Sequence, residues 1–110
     1  MCIFCKVAGG EIPTDFLYHS EKVVAFADLN PQAPTHILVI PRRHFENAAE
    51  LAAADAATMS ELFGAARQIA STVELDGYRI VFNTGASAGQ SVFHTHLHLL
   101  GGRAFAWPPG

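Results

Sequence analysis

Three histidines stand at alternate positions near the C-terminus, namely His94, His96 and His98. On a β-strand, successive side chains point to opposite faces of the sheet, so these imidazoles are expected to share one face. A helix would scatter them around its axis, because a two-residue period does not match 3.6 residues per turn. Near neutral pH, imidazole serves as a base, acid, nucleophile or metal ligand. The stretch therefore predicts a strand with one chemically active face.

The remaining hydrophobic pattern predicts an α+β domain built on an antiparallel sheet of about five strands. Short apolar runs bounded by turn residues indicate a hairpin, a central buried strand and a fourth strand, and the histidine stretch adds a fifth. In chain order, the strands are predicted at residues 16–18, 23–27, 36–40, 78–82 and 94–98.

One main helix is predicted in the middle of the chain. Apolar residues from Met59 to Val73 recur at three- and four-residue intervals, as in an amphipathic helix that packs on a sheet. Asp55 is a suitable N-cap or first-turn acid, and Asp76-Gly77 is a suitable end. The alanine-rich segment before Asp55 predicts a short additional helix.

The composition favours one compact domain and excludes several functions. With 110 residues, of which 50% are hydrophobic and 15% charged, the chain is long enough for one domain and too short for two. A net charge of −3 provides no basic surface for general binding of nucleic acid. No apolar run approaches the ~18 residues of a transmembrane helix, and no signal peptide opens the chain. We therefore expect a cytoplasmic protein that binds no membrane and keeps its cysteines reduced.

Cys2 and Cys5 form a C-x-x-C pair, which is half of a zinc site. Zinc needs two further ligands, and the histidines are the only plausible donors. One arrangement uses His44 and one histidine of the strand in a closed structural site, and it leaves two strand histidines for catalysis. The alternative is a catalytic zinc held by the H-x-H pair and a third histidine. A site with two thiolates and two imidazoles has no position left for water and is therefore structural. We favour this arrangement, because a catalytic zinc would leave Cys2 and Cys5 unexplained, whereas the structural site leaves two strand histidines for chemistry.

The loop before the histidine stretch provides groups suited to phosphate transfer. Gly89 and its neighbours can turn backbone N–H groups toward an anion, and Ser91 can present a hydroxyl to the same phosphate. A neutral imidazole can attack phosphorus and form a covalent intermediate that water later opens. No acidic cluster is available to hold Mg²⁺, so the chemistry is expected to need no metal.

The stretch from His94 to Leu100 resembles the signature of the histidine triad (HIT) family, His-φ-His-φ-His-φ-φ, in which φ is apolar. Further similarity to the family lies in residues 25–28, 31–36 and 39–44, and similarity to its branch of histidine triad nucleotide-binding proteins lies in residues 89–91 and 101–110. The resemblance covers nearly the whole chain. It implies a single HIT domain over residues 1–110 and a homodimer with a joined sheet.

The resemblance also implies an enzyme, a hydrolase of the adenosine 5′-phosphoramidase type. Such an enzyme binds purine nucleotides related to AMP or GMP. It cleaves the P–N bond of nucleoside 5′-phosphoramidates, such as AMP-NH2 or AMP joined to lysine, through a nucleotidyl-histidine intermediate. Two alternatives stay open. One is a dinucleoside polyphosphate hydrolase or nucleotidylyl transferase on the same triad, and the other is a nucleotide-binding scaffold or regulatory module.

Position in the family motifs implies individual roles. His96 is the expected nucleophile, His98 would polarise the phosphate, and Ser91 would serve the leaving group. His36 would orient the histidine network. The residues expected to contact the nucleotide are Ile3, Phe4, Val7 and Leu29 at the base, Asp28 at the ribose, Asn83, Gly89, Gln90, Ser91, His96 and His98 around the ribose and phosphate, and Trp107 from the partner subunit. The resemblance places structural zinc on Cys2, Cys5, His44 and His94.

Two positions depart from the family pattern. Thr95 occupies an apolar position, where its methyl can pack but its hydroxyl needs a partner if it is buried. Ala106 stands where the closest relatives often place a histidine before the Trp-Pro-Pro-Gly ending.

Overall fold

The structure is a computed structural model that describes residues 2–110. Five antiparallel strands form one sheet in the order β1-β2-β3-β5-β4. The strands are β1 (Tyr18–His19), β2 (Val23–Ala27), β3 (Thr35–Pro41), β4 (Tyr78–Val81) and β5 (Leu97–Gly101). The helices are α1 (Ile3–Ala8), α2 (Ala48–Ala54) and α3 (Ala56–Thr72), and a 3₁₀ turn spans Ala86–Ala88. The predicted α+β class and the five-stranded antiparallel sheet are confirmed.

Both faces of the sheet are covered, which explains the unbroken apolar run of β3. Alternate residues of β2 and β3 enter one core with α3, in which Leu62, Ala66 and Ile69 are buried. The intervening residues enter a second core with α1, through Phe4 and Val7. Among residues 2–110, no helix has both the length and the apolar character needed to cross a membrane.

The start of α3 agrees with the prediction, and its end does not. Asp55 is the N-cap, because its carboxylate accepts hydrogen bonds from the backbone N–H of Thr58 at 3.1 Å and from the Thr58 hydroxyl at 2.6 Å. The predicted end at Asp76-Gly77 is wrong, since the helix ends at Thr72. Glu74 adopts a positive φ of 56°, and the N–H of Leu75 then bonds back to the carbonyl of Ala70 at 3.0 Å. This reversal turns the chain toward β4 before the glycine is reached.

Helix α1 was not among the predicted elements. The Cys2 thiol group accepts a hydrogen bond from the N–H of Cys5 at 3.2 Å and so caps the helix. Phe4 and Val7 of this helix pack on the sheet. A helix of six residues makes fewer than two turns, so its sequence shows no recognisable period.

The predicted histidine strand begins later than expected. β5 starts at Leu97, so His98 lies in the strand while His94 and His96 lie in the segment that enters it. The reason is that this segment bonds to the connection after β3 instead of to β3 itself. The backbone N–H of Thr95 donates to the carbonyl of Phe45 at 2.8 Å, and the Thr95 hydroxyl donates to the same oxygen at 3.1 Å. The buried hydroxyl therefore has the partner that its position demands.

Candidate active site and metal centre

A cleft of about 530 Å³ opens between α1, the end of β2 and the histidine segment. Most of the residues predicted to bind the base and phosphate line it, namely Ile3, Phe4, Val7, Asp28, Leu29, Ser91, His96 and His98. The loop after α1 also contributes to the wall, through Ile12, Pro13, Thr14 and Asp15. The sequence analysis missed this loop because nothing in its composition separates it from an ordinary turn.

Five predicted site residues do not line the cleft, namely His36, Asn83, Gly89, Gln90 and Trp107. His36 lies behind His98, with the two rings bonded to each other. The Asn83 amide group lies beside Gly89 in the loop before the histidine segment. Trp107 is 82% exposed in the C-terminal tail.

Gln90 also lies outside the lining of the cleft, and its side chain is committed to the protein. The Gln90 amide oxygen accepts from the N–H of Gly85 at 2.8 Å. Its amide nitrogen donates to the carbonyls of Glu46 at 2.7 Å and Val92 at 3.1 Å. The buried side chain thus holds the loop that carries Ser91, so a contact of Gln90 with the nucleotide would have to use its backbone.

The tautomer of His96 follows from its single protein partner. The Nδ1 atom lies 2.7 Å from the carbonyl oxygen of His94, which can only accept a hydrogen bond. In the neutral ring, Nδ1 therefore carries the proton and Nε2 has a free lone pair. The ring is 7% exposed, lines the cleft and packs edge-to-face with Phe4 at a centroid distance of 5.2 Å. In its neutral form, the His96 ring therefore has an unprotonated Nε2 beside the cleft.

The tautomers of His36 and His98 are linked. The backbone N–H of Gln32 donates to His36 Nδ1 at 3.0 Å, so the proton of the neutral His36 ring is on Nε2. That nitrogen lies 2.9 Å from His98 Nδ1 and donates to it. The proton of His98 is therefore on its own Nε2. Within residues 2–110, this buried Nε2 has no hydrogen-bond partner.

Burial keeps both linked rings neutral. Desolvation lowers the pKa of His36, an effect that the nearby Asp28 carboxylate partly opposes. Desolvation also lowers the pKa of His98 to about 4, with smaller contributions from the positive charges that His96 and His36 can carry. Near pH 7, His98 Nε2–H is thus an uncharged donor with no partner, at the edge of a cleft. An unpaired buried donor costs about 1–3 kcal/mol, which an incoming acceptor would recover.

A second group of side chains forms a candidate metal centre. The Sγ atoms of Cys2 and Cys5 and the Nδ1 atoms of His44 and His94 all lie within 4.8 Å of one another, and their measured separations are 3.2–3.6 Å. Around tetrahedral zinc, sulfur and nitrogen ligands are separated by about 3.3–3.8 Å. His94 Nε2 donates to the carbonyl of Pro41 at 2.8 Å, which leaves its Nδ1 lone pair for the metal. The donor set and its spacing therefore fit a closed zinc site.

A third cluster, formed by Asp28, His36 and His98, contains residue types that bind metals. The positions of its imidazole protons do not suit a metal ion, which needs free lone pairs. The atoms that would bind a metal are His36 Nε2 and His98 Nδ1. Because the N–H of Gln32 faces His36 Nδ1, the proton of His36 stays on Nε2 and blocks that lone pair. This arrangement argues against a catalytic zinc at the cluster and in favour of a histidine relay.

Fold and site together define a class of small α+β domains in which a histidine relay lies beside a Cys₂His₂ cluster. The chain belongs to the HIT domain family, whose family model matches residues 9–105. It is 48% identical over 109 residues to a HIT-like protein of Synechococcus elongatus, covering 98% of this chain and 96% of that one. It is also 48% identical over 113 residues to a 14 kDa zinc-binding protein of Zea mays, covering 98% and 87% of the two chains. The structure of a HIT family hydrolase from Legionella pneumophila superposes with a TM-score of 0.94 at 43% identity, covering 100% of both chains.

Proposed function

We propose that the protein is a nucleotide-binding hydrolase that cleaves the P–N bond of purine nucleoside 5′-phosphoramidates. The proposal rests on the tautomers of His96 and His98 at the cleft. His96 offers an unprotonated Nε2, and His98 offers a protonated Nε2 with no other partner. A nucleophile and a donor for a phosphoryl oxygen are thus provided together. The names of HIT family hydrolases among similar structures support a hydrolytic reaction.

In the first step, His96 Nε2 attacks phosphorus while the P–N bond breaks. The electron pair of that bond leaves with the amine, which takes up a proton from solvent. Ser91, which lines the same cleft, is proposed to hydrogen-bond the leaving nitrogen. The His98 Nε2–H donates to a phosphoryl oxygen as negative charge grows there.

In the second step, water opens the nucleotidyl-histidine. Its oxygen bonds to phosphorus while the bond to His96 Nε2 breaks and its electron pair returns to that nitrogen, and the water loses its proton to the medium, which gives the nucleoside monophosphate. The enzyme returns to the same tautomers, because the carbonyl of His94 and the N–H of Gln32 do not change their roles. No metal takes part in either step.

The cleft supports a nucleoside as the group next to phosphorus. Ile3, Phe4 and Val7 form an apolar wall that suits a purine base, and Asp28 can accept hydrogen bonds from ribose hydroxyls. We place Asn83 and the backbone around Gly89 and Gln90 near the ribose and phosphate. The structure of a histidine triad nucleotide-binding protein from Candida albicans has a TM-score of 0.84 at 30% identity, and its name supports a nucleotide as ligand; we propose AMP or GMP derivatives.

We also propose a structural zinc ion on Cys2, Cys5, His44 and His94. Zinc would supply a fixed crosslink between α1 and the histidine segment. Phe4 lies between the two sites, since its ring contacts both His94 and His96. Free thiols that serve as zinc ligands need a reducing compartment, which favours the cytoplasm.

A homodimer with a joined sheet is proposed for the assembly. Strand β4 is the last strand of the sheet, and its outer edge is unpaired within residues 2–110. Large apolar side chains are exposed in β4 and along α3 to its C-cap, namely Tyr78 at 43%, Phe63 at 46% and Val73 at 48%. An apolar patch next to an open edge strand is a typical site of strand pairing between subunits. In such a dimer, the exposed Trp107 would be available to the partner subunit.

The deciding experiment is hydrolysis of adenosine 5′-phosphoramidate without added metal. His96→Ala is expected to lower kcat at least about a thousandfold, because the nucleophile is removed. His19→Ala removes an exposed histidine of β1 and should keep wild-type activity. Rapid quenching with labelled substrate should trap AMP covalently on the wild-type protein. Retention of most activity by His96→Ala would contradict the assignment of the nucleophile.

The same assay separates the alternative functions. A dinucleoside polyphosphate is run in parallel, and it should be the slower substrate. Faster turnover of the polyphosphate would replace the phosphoramidase assignment with a polyphosphate hydrolase. Tight binding of AMP without turnover of either compound would make the protein a binding module.

A further inference from the structure

The loop between β2 and β3 carries the amide that orients the histidine relay. The N–H of Gln32 donates to His36 Nδ1, whereas the carbonyl of the same residue points to the C-terminal segment. There, Arg103 Nε donates to the Gln32 carbonyl oxygen at 3.2 Å. A continuous series of hydrogen bonds thus runs from Arg103 through Gln32 and His36 to His98.

A second contact holds the same loop against the C-terminal segment. Gly102 has a φ of +87°, and a Cβ atom at this position would lie only 2.9 Å from Cβ of Pro34. The backbone before Arg103 therefore packs directly on the loop, with no room for a side chain. The guanidinium group of Arg103 is itself held in place, because it stacks on the Phe105 ring at 4.2 Å and donates to the carbonyl of Ala104 at 2.9 Å.

We propose that Arg103 is a positioning residue, which keeps the Gln32 N–H directed at His36 Nδ1 and thereby keeps His98 in its donor tautomer. This inference rests on the proposed function, since it concerns the same relay. It assigns to the C-terminal segment a role within its own subunit. Neither Arg103 nor Gln32 lines the cleft, so their effect on catalysis would be transmitted through His36.

The consequence of a displaced loop follows from the two neutral tautomers of imidazole. Without the Gln32 donor, His36 is free to carry its proton on Nδ1 and to present a lone pair at Nε2. His98 Nδ1 must then donate to that lone pair, and the proton leaves His98 Nε2. A phosphoryl oxygen in the cleft would then face the lone pair of His98 Nε2 instead of an N–H donor. Loss of the amide contact would therefore shift the relay toward the reversed polarity, opposed by the Asp28 carboxylate, which lies 3.4 Å from His36 Nε2, so that a mixture of tautomers results.

Arg79 offers a matched control. Its guanidinium group stacks on the same Phe105 ring at 5.1 Å and donates to the carbonyl of Ala106 at 3.0 Å. It has no contact with Gln32 among residues 2–110. Arg79→Ala and Arg103→Ala each remove one positive charge that stacks on the Phe105 ring of the tail. Only Arg103→Ala removes the bond to the loop.

The first readout is the tautomeric state, measured by nitrogen-15 NMR of labelled histidines in the full-length protein. The wild type and Arg79→Ala are expected to show protonated Nε2 and unprotonated Nδ1 in both His36 and His98. Arg103→Ala should show a mixture of tautomers at these two rings, with His96 unchanged. Wild-type tautomers in Arg103→Ala would overturn the proposal, and so would an equal mixture in Arg79→Ala.

The second readout separates the chemical step from binding. Arg103→Ala should lower kcat for adenosine 5′-phosphoramidate by about threefold to tenfold, the range expected for one hydrogen bond, while the Kd for AMP changes less than twofold. A loss confined to AMP binding would contradict a positioning role. If the wild-type protein does not hydrolyse the phosphoramidate, the proposed function fails, and the NMR comparison still tests the proposal on Arg103.

Discussion

Four imidazoles of the site hold defined tautomers because each faces a group with only one possible role. Backbone carbonyls fix His94 and His96, and a backbone amide fixes His36, which in turn fixes His98. The three strand histidines His94, His96 and His98 were recognisable from their alternation, whereas a role for His36 was predicted only from the family resemblance. The role of the Gln32 backbone amide could not be predicted, because every residue type except proline has a backbone N–H and the sequence does not show which one acts as a donor.

The low pKa of His98 predicts a specific dependence of stability on pH. The unfolded chain takes up a proton on this histidine below about pH 6.5, whereas the folded protein does so only near pH 4. The free energy of unfolding should therefore rise with pH between these values and should lose this contribution on acidification. From pH 7 to pH 4.5, we expect the wild type to lose about 2 kcal/mol more than His98→Gln does.

Urea denaturation of both proteins at a series of pH values measures this difference. Comparing the two slopes cancels the acid sensitivity of the candidate zinc site, which both proteins share. Parallel curves for the wild type and His98→Gln would show that His98 keeps an ordinary pKa in the folded state.

Elements with a long repeating pattern were predictable, and elements made by a few tertiary contacts were not. Hydrophobic patterns long enough to be recognised mark β2, β3 and α3 in the sequence. Helix α1 depends instead on a cap by Cys2 and on packing of Phe4 and Val7 against the sheet. The end of α3 depends on a left-handed Glu74, a conformation that its residue type does not indicate.

Cys2 caps α1 and is also a candidate zinc ligand, so the candidate metal centre can be tested through this helix. Purified wild-type protein should contain about one zinc per chain, and Cys2→Ser should contain little, because a thiolate ligand is removed. Elemental analysis of protein prepared without chelator measures both values. We further expect weaker AMP binding in Cys2→Ser, since α1 forms a wall of the cleft.

Ser91→Ala is a useful control for this experiment. It alters the cleft without touching the Cys₂His₂ cluster, so its zinc content should equal that of the wild type. Native protein without zinc would contradict the structural metal, whatever its activity.

At the scale of the whole molecule, the two edges of the sheet differ. β1 forms one edge with two residues, and β4 forms the other with four residues next to exposed apolar side chains. Phe63 of α3 lies 5.9 Å from Phe82, which directly follows β4, so helix and strand present one continuous apolar surface. A short edge strand resists pairing, whereas a longer edge flanked by apolar surface favours it.

Phe63→Glu is expected to convert the proposed dimer to a monomer, because it places a charge in the centre of the apolar surface. Leu17→Glu, at the β1 edge, alters a side chain of similar exposure, 52% against 46%, and should leave the dimer intact. Size-exclusion chromatography with light scattering gives the mass of each variant. A monomeric wild type would contradict the proposed joined sheet. A dimeric Phe63→Glu variant would show that the interface lies on another surface.

The Cys₂His₂ cluster joins residues from opposite ends of the chain, and this has a consequence for biosynthesis. Cys2 and Cys5 leave the ribosome before His94, which follows Cys2 by 92 residues and lies 3.3 Å from Cys2 Sγ in the folded protein. At about 5–20 residues per second, several seconds separate their appearance. During this time the two thiols cannot reach their final coordination. The nascent protein thus acquires its complete set of candidate ligands only after His94 has been synthesised, and a chain terminated before this residue lacks both the candidate metal centre and the proposed nucleophile.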